Sequence, residues 1–287
     1  MYKINSFSPQ AHNYSQLIQS IANMPKRLWL CGTLPSSRIP SVAIVGSRKP
    51  TPYGQEVTYQ LSFELARRGV VIMSGLALGT DGIAHQAALD AGGTTIAVLP
   101  TSIEAIHPRA HRQLAKQIVE SGGALVSEYA ADDDIYKTNF IARNRIVTAL
   151  SDGLLITEAA ARSGTLSTAN FALEQGRPVM VVPGNITSFA SAGCNNLLKT
   201  GATPITQVGD VLHELGLQDI GEQTKLPLAA NQQEATLLQL IAEGVREGEQ
   251  LHAKSGLPAA SFSQTLTMLE IEGKIRALGA NQWAIRK

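Results

Sequence analysis

The stretch VAIVGSR, Val42 to Arg48, decides the fold. Four apolar residues followed by Gly, Ser and Arg read as a buried strand whose exit meets a ligand, because strands covered on both faces run as continuous apolar segments. In open α/β sheets the crevice beyond the carboxyl ends of the strands is where ligands sit, and glycine there admits close approach of an anion to the backbone. Arg48 adds a planar cationic fork suited to phosphate.

Outward from that strand the pattern alternates. Thr51 and Pro52 read as an N-cap and first helical residue, and Val57, Leu61 and Leu65 mark one face of a helix that stops at Gly69. Strands are expected at Val70 to Met73, Thr95 to Leu99, Ala124 to Val126, Leu154 to Ile156 and Val179 to Val182. Helices are expected from Thr80, which reads as a cap, to about Ala91, then near Arg109 to Ser121 and from Leu166 to Gln175. Strands separated by helical stretches imply βαβ units, hence a parallel sheet with helices on both faces. Strand exits at 46–48, 74–75, 158–159 and 183–184 end in small or polar residues, so one pocket is expected along the top of the sheet.

Four segments are expected: a short appendage at 1–27, the α/β domain at 28–216, a polar link at 217–228 and a separate module at 229–287. Residues 1–27 hold one weakly helical stretch, Tyr14 to Met24, and Leu28 to Cys31 reads as a leading strand. The C-terminal pattern is three helices, Glu234 to Ala242, Gln250 to Ser255 and Ala259 to Glu272, followed by a two-stranded wing, Lys274 to Ala277 and Gln282 to Ile285. That is a winged helix. Its third helix has no Arg or Lys between Pro258 and Glu272, and residues 226–287 hold six basic residues against six glutamates, so a protein-contact or structural role is favoured over duplex recognition.

Across all 287 residues the formal net charge is +1, which excludes a broad basic surface that coats duplex DNA. Cys31 and Cys194 lack metal spacing and fit a reducing compartment. No stretch reads as a membrane span or signal peptide, so a cytoplasmic location without membrane association is expected. A P-loop is ruled out, because the only Gly-Lys pair, Gly273-Lys274, lacks both the upstream glycine and the following Ser or Thr; GSRKPTPYG does not form a dinucleotide fingerprint. No cofactor, metal site or catalytic residue is therefore expected. His107 and His111, four apart, read as an exposed helix start, and Asp132 to Asp134 as a solvated loop.

Two further tracts bear on binding. KTNFIARNRIVTAL, Lys137 to Leu150, sets Lys137, Arg143, Asn144 and Arg145 beside Phe140 at a helix entry, a combination suited to an unpaired strand whose phosphates meet cations and whose base meets the ring. Phe140 as plain core is the alternative. Arg162-Ser163-Gly164-Thr165 opens a helix directly after a strand, offering amides to an anion or simply a Ser/Thr cap.

VAIVGSRKPTPYG (42–54), SGLALGTDGIAHQAAL (74–89), FIARNRIV (140–147), TEAAARSGTLSTANFALEQGRPVMVVPG (157–184) and AGCNNLLKTGA (192–202) together resemble the DNA-processing protein A family, DprA or Smf. The likeness covers about 28 to 216. It implies an extended Rossmann-like domain that binds single-stranded DNA, forms a homodimer, loads the RecA recombinase during natural transformation, protects incoming DNA and helps displace single-strand-binding protein. By motif, Gly46, Ser47 and Arg48, with Ser74 and Gly75, would hold the phosphate track. Lys137, Phe140, Arg143, Asn144 and Arg145 would line the pocket, and Ser163, Gly164 and Thr165 would add amides and hydroxyls. Asn195 to Ala202 and Val208 to Leu215 would lie near the dimer and partner surface. Departures from the family pattern are Pro100-Thr101-Ser102 after the third strand, Thr80 in place of isoleucine, and a first segment too short for the family's usual N-terminal domain. The alternative function is a nucleotide phosphoribohydrolase of the lysine-decarboxylase-like type, although that family's PGGxGT stretch and its nearby glutamate are not matched by Glu158 and Glu174.

Overall fold

The computed structural model describes residues 3–217, 231–242, 245–279 and 281–285. The chain divides into two units, Met1–Gln218 and Asp219–Lys287. From residue 218 onward the expected 217–228 link lies outside the described residues.

In the first unit the elements run β1 (Ile4–Phe7), β2 (Leu28–Gly32), β3 (Ser41–Val45), α1 (Pro52–Arg67), β4 (Val71–Ser74), α2 (Thr80–Asp90), β5 (Thr95–Leu99), α3 (Arg112–Glu120) and β6 (Ala124–Ser127). They continue through α4 (Asn139–Ala142), α5 (Asn144–Ala149), β7 (Gly153–Ile156), α6 (Thr165–Glu174), β8 (Val179–Val181), α7 (Ala192–Lys199), β9 (Thr203–Pro204) and α8 (Val208–Glu214). One sheet has the order β1-β2-β6-β5-β4-β3-β7-β8-β9. Neighbours from β6 through to β9 pair in parallel, whereas β1 pairs β2 and β2 pairs β6 antiparallel. The sheet is therefore mixed, which corrects the wholly parallel expectation: β2 enters against the direction of the others before any crossover helix has been built.

Because side chains alternate across a strand, β3 buries Ala43 and Val45 on one face and Val42 and Ile44 on the other. The first face packs on Ile146, Val147, Ala169 and Ala172 from α5 and α6. The second packs on Leu61 and Leu65 of α1, Ala84 and Ala88 of α2, and Val211 and Leu212 of α8. Helices thus cover both sides. The first 27 residues join this body: Tyr14 and Ile18 are fully buried in the first core cluster, and the stretch expected as a helix is a 3-10 run, Asn13–Ser20. At α1, Thr51 caps as expected, its side chain accepting from Gly54 N–H at 3.2 Å with Pro52 next in line. At α2 the expected cap moves by one residue. Gly79, at φ 78°, holds the N-cap position, and Thr80 lies inside the first turn.

The second unit contains α9 (Gln232–Ala242), α10 (Gly248–Ser255), α11 (Ala259–Ile271) and the hairpin β10 (Ile275–Gly279) with β11 (Gln282–Ile285). Leu237, Leu238, Leu251, Phe262, Leu266, Leu269 and Ile275 form its own core. At the wing base, Lys274 is held by Glu234 at 2.8 Å and Glu272 at 2.6 Å, so this cation is committed within the unit rather than offered to phosphate.

Candidate nucleic-acid interface

The order of strands reverses around β3. The chain runs to β4, β5 and β6 on one side and to β7, β8 and β9 on the other. A reversal of this kind splays the loops that leave two adjacent strands and opens a crevice between them. The loop after β3 carries Gly46, Ser47 and Arg48, and the loop after β7 carries Ala160, Arg162, Ser163 and Gly164. Between them, with α4 and the start of α5 as roof, lies a cleft of about 720 Å3.

Of the residues expected in the site, Gly46, Ser47, Arg48, Lys137, Phe140, Arg143, Asn144, Ser163, Gly164 and Thr165 line this cleft together. Gly46 has no room for a side chain, since a Cβ there would stand 2.7 Å from Thr80 Oγ1 and 2.8 Å from the Glu158 carbonyl. Buried Glu158 secures the loop twice. Its backbone carbonyl accepts from Ser47 N–H at 2.8 Å, and its carboxylate accepts from Thr51 N–H at 3.1 Å and from the Thr51 hydroxyl at 2.5 Å. Thr165 ties the second loop to the first by donating from Oγ1 to the Gly46 carbonyl at 3.1 Å. The Ser47 and Thr165 amides are therefore spent inside the protein, Thr165 N–H donating to Ser163 Oγ at 3.2 Å. Cationic side chains, more than these amides, are left to meet an anion.

Arg48, Lys137 and Arg162 supply that charge from exposed positions on the rim. Arg48 lies over the Phe140 ring, 5.9 Å from its centroid, and His107 meets the same ring edge-on at 5.0 Å. Phe140 is only half-buried, so part of the ring stays accessible from the cleft that it lines. Partial burial, and then the nearby Arg48, hold the His107 imidazole below its ordinary pKa.

Arg143 does a different job from the one expected of it. It is 4% exposed and its guanidinium donates to the Gly75 carbonyl at 2.5 Å, to the Val98 carbonyl, and to Asn144 Oδ1 at 3.0 Å. It clamps the ends of β4 and β5 beneath the cleft floor. Gly75 belongs to this clamp, because a Cβ there would overlap the guanidinium. Burial lowers the Arg143 pKa to about 10, opposed by Asp81, which leaves it charged at neutral pH. Burial pushes the Asp81 carboxyl up, against the pull of Arg143 and of the Ala77 and Gly75 amides that donate to it.

Three expected site residues stand outside the cleft lining: Gly75, held in the clamp just described, Ser74 and Arg145. Ser74 is fully buried and donates from Oγ to the Ile44 carbonyl at 2.6 Å. Arg145 leans away to an ion pair with Glu128, its Nη2 donating to both carboxylate oxygens at 2.7 and 2.8 Å. It follows Arg143 by two positions, and two steps turn a helix by about 200°, which sends the two side chains to opposite sides. Conversely, Asp81, His107, Ile141 and Arg162 line the cleft without having been singled out as site residues. Arg162 stood next to the Ser163-Gly164-Thr165 motif and was legible there. His107 comes from a remote loop with a cis bond to Pro108 and reads in sequence as a helix start, which it is not.

Among the described residues no group of three or more His, Cys, Asp or Glu is placed to hold a metal ion, and no helix is long and apolar enough to cross a membrane.

An α/β body with a cation-rimmed, aromatic-lined cleft at its strand reversal, followed by a winged-helix unit, defines a class of nucleic-acid-handling proteins. The sequence profile of the DNA recombination-mediator protein A family matches residues 5–216, and that of the DprA winged helix domain matches residues 221–281. The chain belongs to the DNA recombination-mediator protein A family, DprA/Smf. It is 37% identical over 282 residues to Protein Smf of Escherichia coli (strain K12), covering 96% of this chain and 75% of that protein. The X-ray structure of DNA processing protein A from Streptococcus pneumoniae is similar at TM-score 0.69 and 38% identity, over 74% of each chain. DNA processing protein A from Helicobacter pylori, solved for its single-stranded DNA binding mode, is similar at TM-score 0.64 and 34% identity, over 75% of this chain and 96% of that one.

Proposed function

We propose that the 720 Å3 cleft grips the sugar-phosphate track of an unpaired DNA strand, with Arg48, Lys137 and Arg162 on phosphates and Phe140 stacked on a base. The observation that carries this reading is the half-exposed ring set among three exposed cations at the strand reversal, in a chain of this family. Gly46, Ser47, Asn144, Ser163, Gly164 and Thr165 shape the walls, while Arg143 and Gly75 position the floor from below. The parallel run from β6 to β9 supports an extended Rossmann-like domain over 28–216, tethered through 217–228 to a winged helix at 229–287. The chain acts in DNA recombination and natural transformation as a non-enzymatic, cytoplasmic mediator that hands the coated strand to RecA in exchange with single-strand-binding protein. The half-exposed side chains of α7 and α8, within Asn195 to Ala202 and Val208 to Leu215, form its homodimer and recombinase surface.

The phosphoribohydrolase alternative requires a carboxylate aimed at a sugar. Glu158 is 2% exposed with its carboxylate on Thr51, and Asp81 is occupied by two amides, so neither is offered to a glycosidic bond. Anisotropy titration with fluorescent single-stranded and duplex oligonucleotides tests the reading. Salt-sensitive preference for the unpaired strand is expected, reduced in Arg48→Ala and Lys137→Ala. Equal binding of both variants and the parent, or release of free base from nucleoside monophosphates, would overturn it.

A further inference from the structure

A second cleft, of about 550 Å3, shares a wall with the first. Arg48, Ala77 and Asp81 line one, and Pro50, Gly79 and Gly82 line the other. That wall is thin: a Cβ on Gly79 would overlap the Ser47 carbonyl and the Arg48 peptide. Arg48 and Pro50 are two Cα steps apart, at most about 7.6 Å, so a strand long enough to fill the first cleft and continue over this ridge enters the second.

The lining chemistry differs from that of the first cleft. Gln55, Gln86, Gln113 and Gln117 converge on it with His111, and among the described residues none that line it carries a permanent charge. A phosphate or a metal ion would find no counter-charge there. The edge of a base, which alternates N–H donors with ring-nitrogen and carbonyl acceptors, matches the paired donor and acceptor of a glutamine amide. Gln55 and Gln86 are already braced, donating to the Pro50 carbonyl at 3.1 Å and to Asp90 Oδ1 at 2.8 Å, so each keeps its carbonyl oxygen as an acceptor. Gln113 and Gln117, exposed and one turn apart on α3, make no side-chain hydrogen bond with the described residues. The His111 ring lies against Gly82, where a Cβ would stand 2.6 Å from Cε1, and its Nδ1 is 2.9 Å from the Leu76 carbonyl, which fixes the ring as a rigid wall.

We propose that this amide-lined cleft is a nucleobase subsite for the same unpaired strand that the first cleft holds by its phosphates. The inference rests on the first-cleft reading. The test titrates the full chain and a Gln113→Ala, Gln117→Ala double variant with fluorescent oligonucleotides of about 4 and about 16 nucleotides, the span of site sizes for a single binding platform. Loss of two exposed amide contacts is expected to weaken the long strand about three- to tenfold and leave the short one unchanged. Unchanged affinity for both lengths, or equal loss for both, overturns the subsite. Arg48→Ala is titrated in parallel: if it binds both lengths as the parent does, the first-cleft reading fails, and if it weakens both while the glutamine variant matches the parent, only the second-cleft inference fails.

Discussion

Replacing Arg48 by alanine isolates the electrostatic part of strand binding, because the side chain is exposed and makes no hydrogen bond with the described residues. Surface changes of this kind leave stability within about 0.5 kcal/mol, so the melting temperature should not move. For single strands, each phosphate neutralised contributes about −0.7 to the slope of log K against log salt. Arg48, Lys137 and Arg162 are the exposed cations lining the cleft, whereas Arg143 is committed to carbonyls and adds none. The parent slope is therefore about −2, and raising salt from about 50 to 200 mM should cost about 20-fold in affinity. In Arg48→Ala the slope falls to about −1.4 and the same salt change costs about 7-fold. Anisotropy titrations of a labelled oligothymidylate at four or five salt concentrations measure both slopes. A variant slope equal to the parent's would show that Arg48 touches no phosphate and refute the reasoning, as would a parent slope near zero.

Gly75→Ala drives a Cβ into the Arg143 guanidinium, and displacing that buried, multiply bonded cation should cost about 3 kcal/mol, a fall of roughly 10 °C in melting temperature; an unchanged melt contradicts the clamp. His85 is fully buried, and burial, with His111 and Arg143, lowers its pKa to about 3. The unfolded chain takes up a proton below about pH 6.5 that the folded chain refuses until about 3, so stability present above 6.5 is lost as pH falls, at about 1.4 kcal/mol per unit. Urea melts of His85→Asn between pH 6 and 4 should show that slope reduced by about one proton, and a slope identical to the parent's would be the wrong result. His107, neutral at pH 7 because its pKa lies below the usual value, gains charge beside Arg48 and Phe140 on acidification. Strand affinity should therefore rise on acidification past the ordinary imidazole range, and His107→Asn should remove the rise.

Much of the fold could be read before any coordinates. The apolar run at 42–45, the alternation of strand and helix signals and the Thr51-Pro52 helix start all lie within a few residues of what forms, because each depends on local periodicity and capping. What escaped was pairing at a distance. The antiparallel β1 and β2 and the burial of Tyr14 and Ile18 depend on where the sheet edge and the helical roof come to lie, which no local pattern in the first 27 residues encodes.

The same division runs through the cleft. Sequence alone determined which residue types collect at the strand exits, since glycine, small hydroxyls and cations following apolar runs are a one-dimensional pattern. Only the tertiary structure decided which of them face outward. Arg143 and Arg145 are equivalent as letters, yet one is sealed under the floor by the Gly75 and Val98 carbonyls and the other is drawn off by Glu128, leaving Arg48, Lys137 and Arg162 on the rim. The physical reason is that a cation's availability depends on the acceptors packed around it, and those acceptors come from β4, β5 and the segment after β6, far away along the chain.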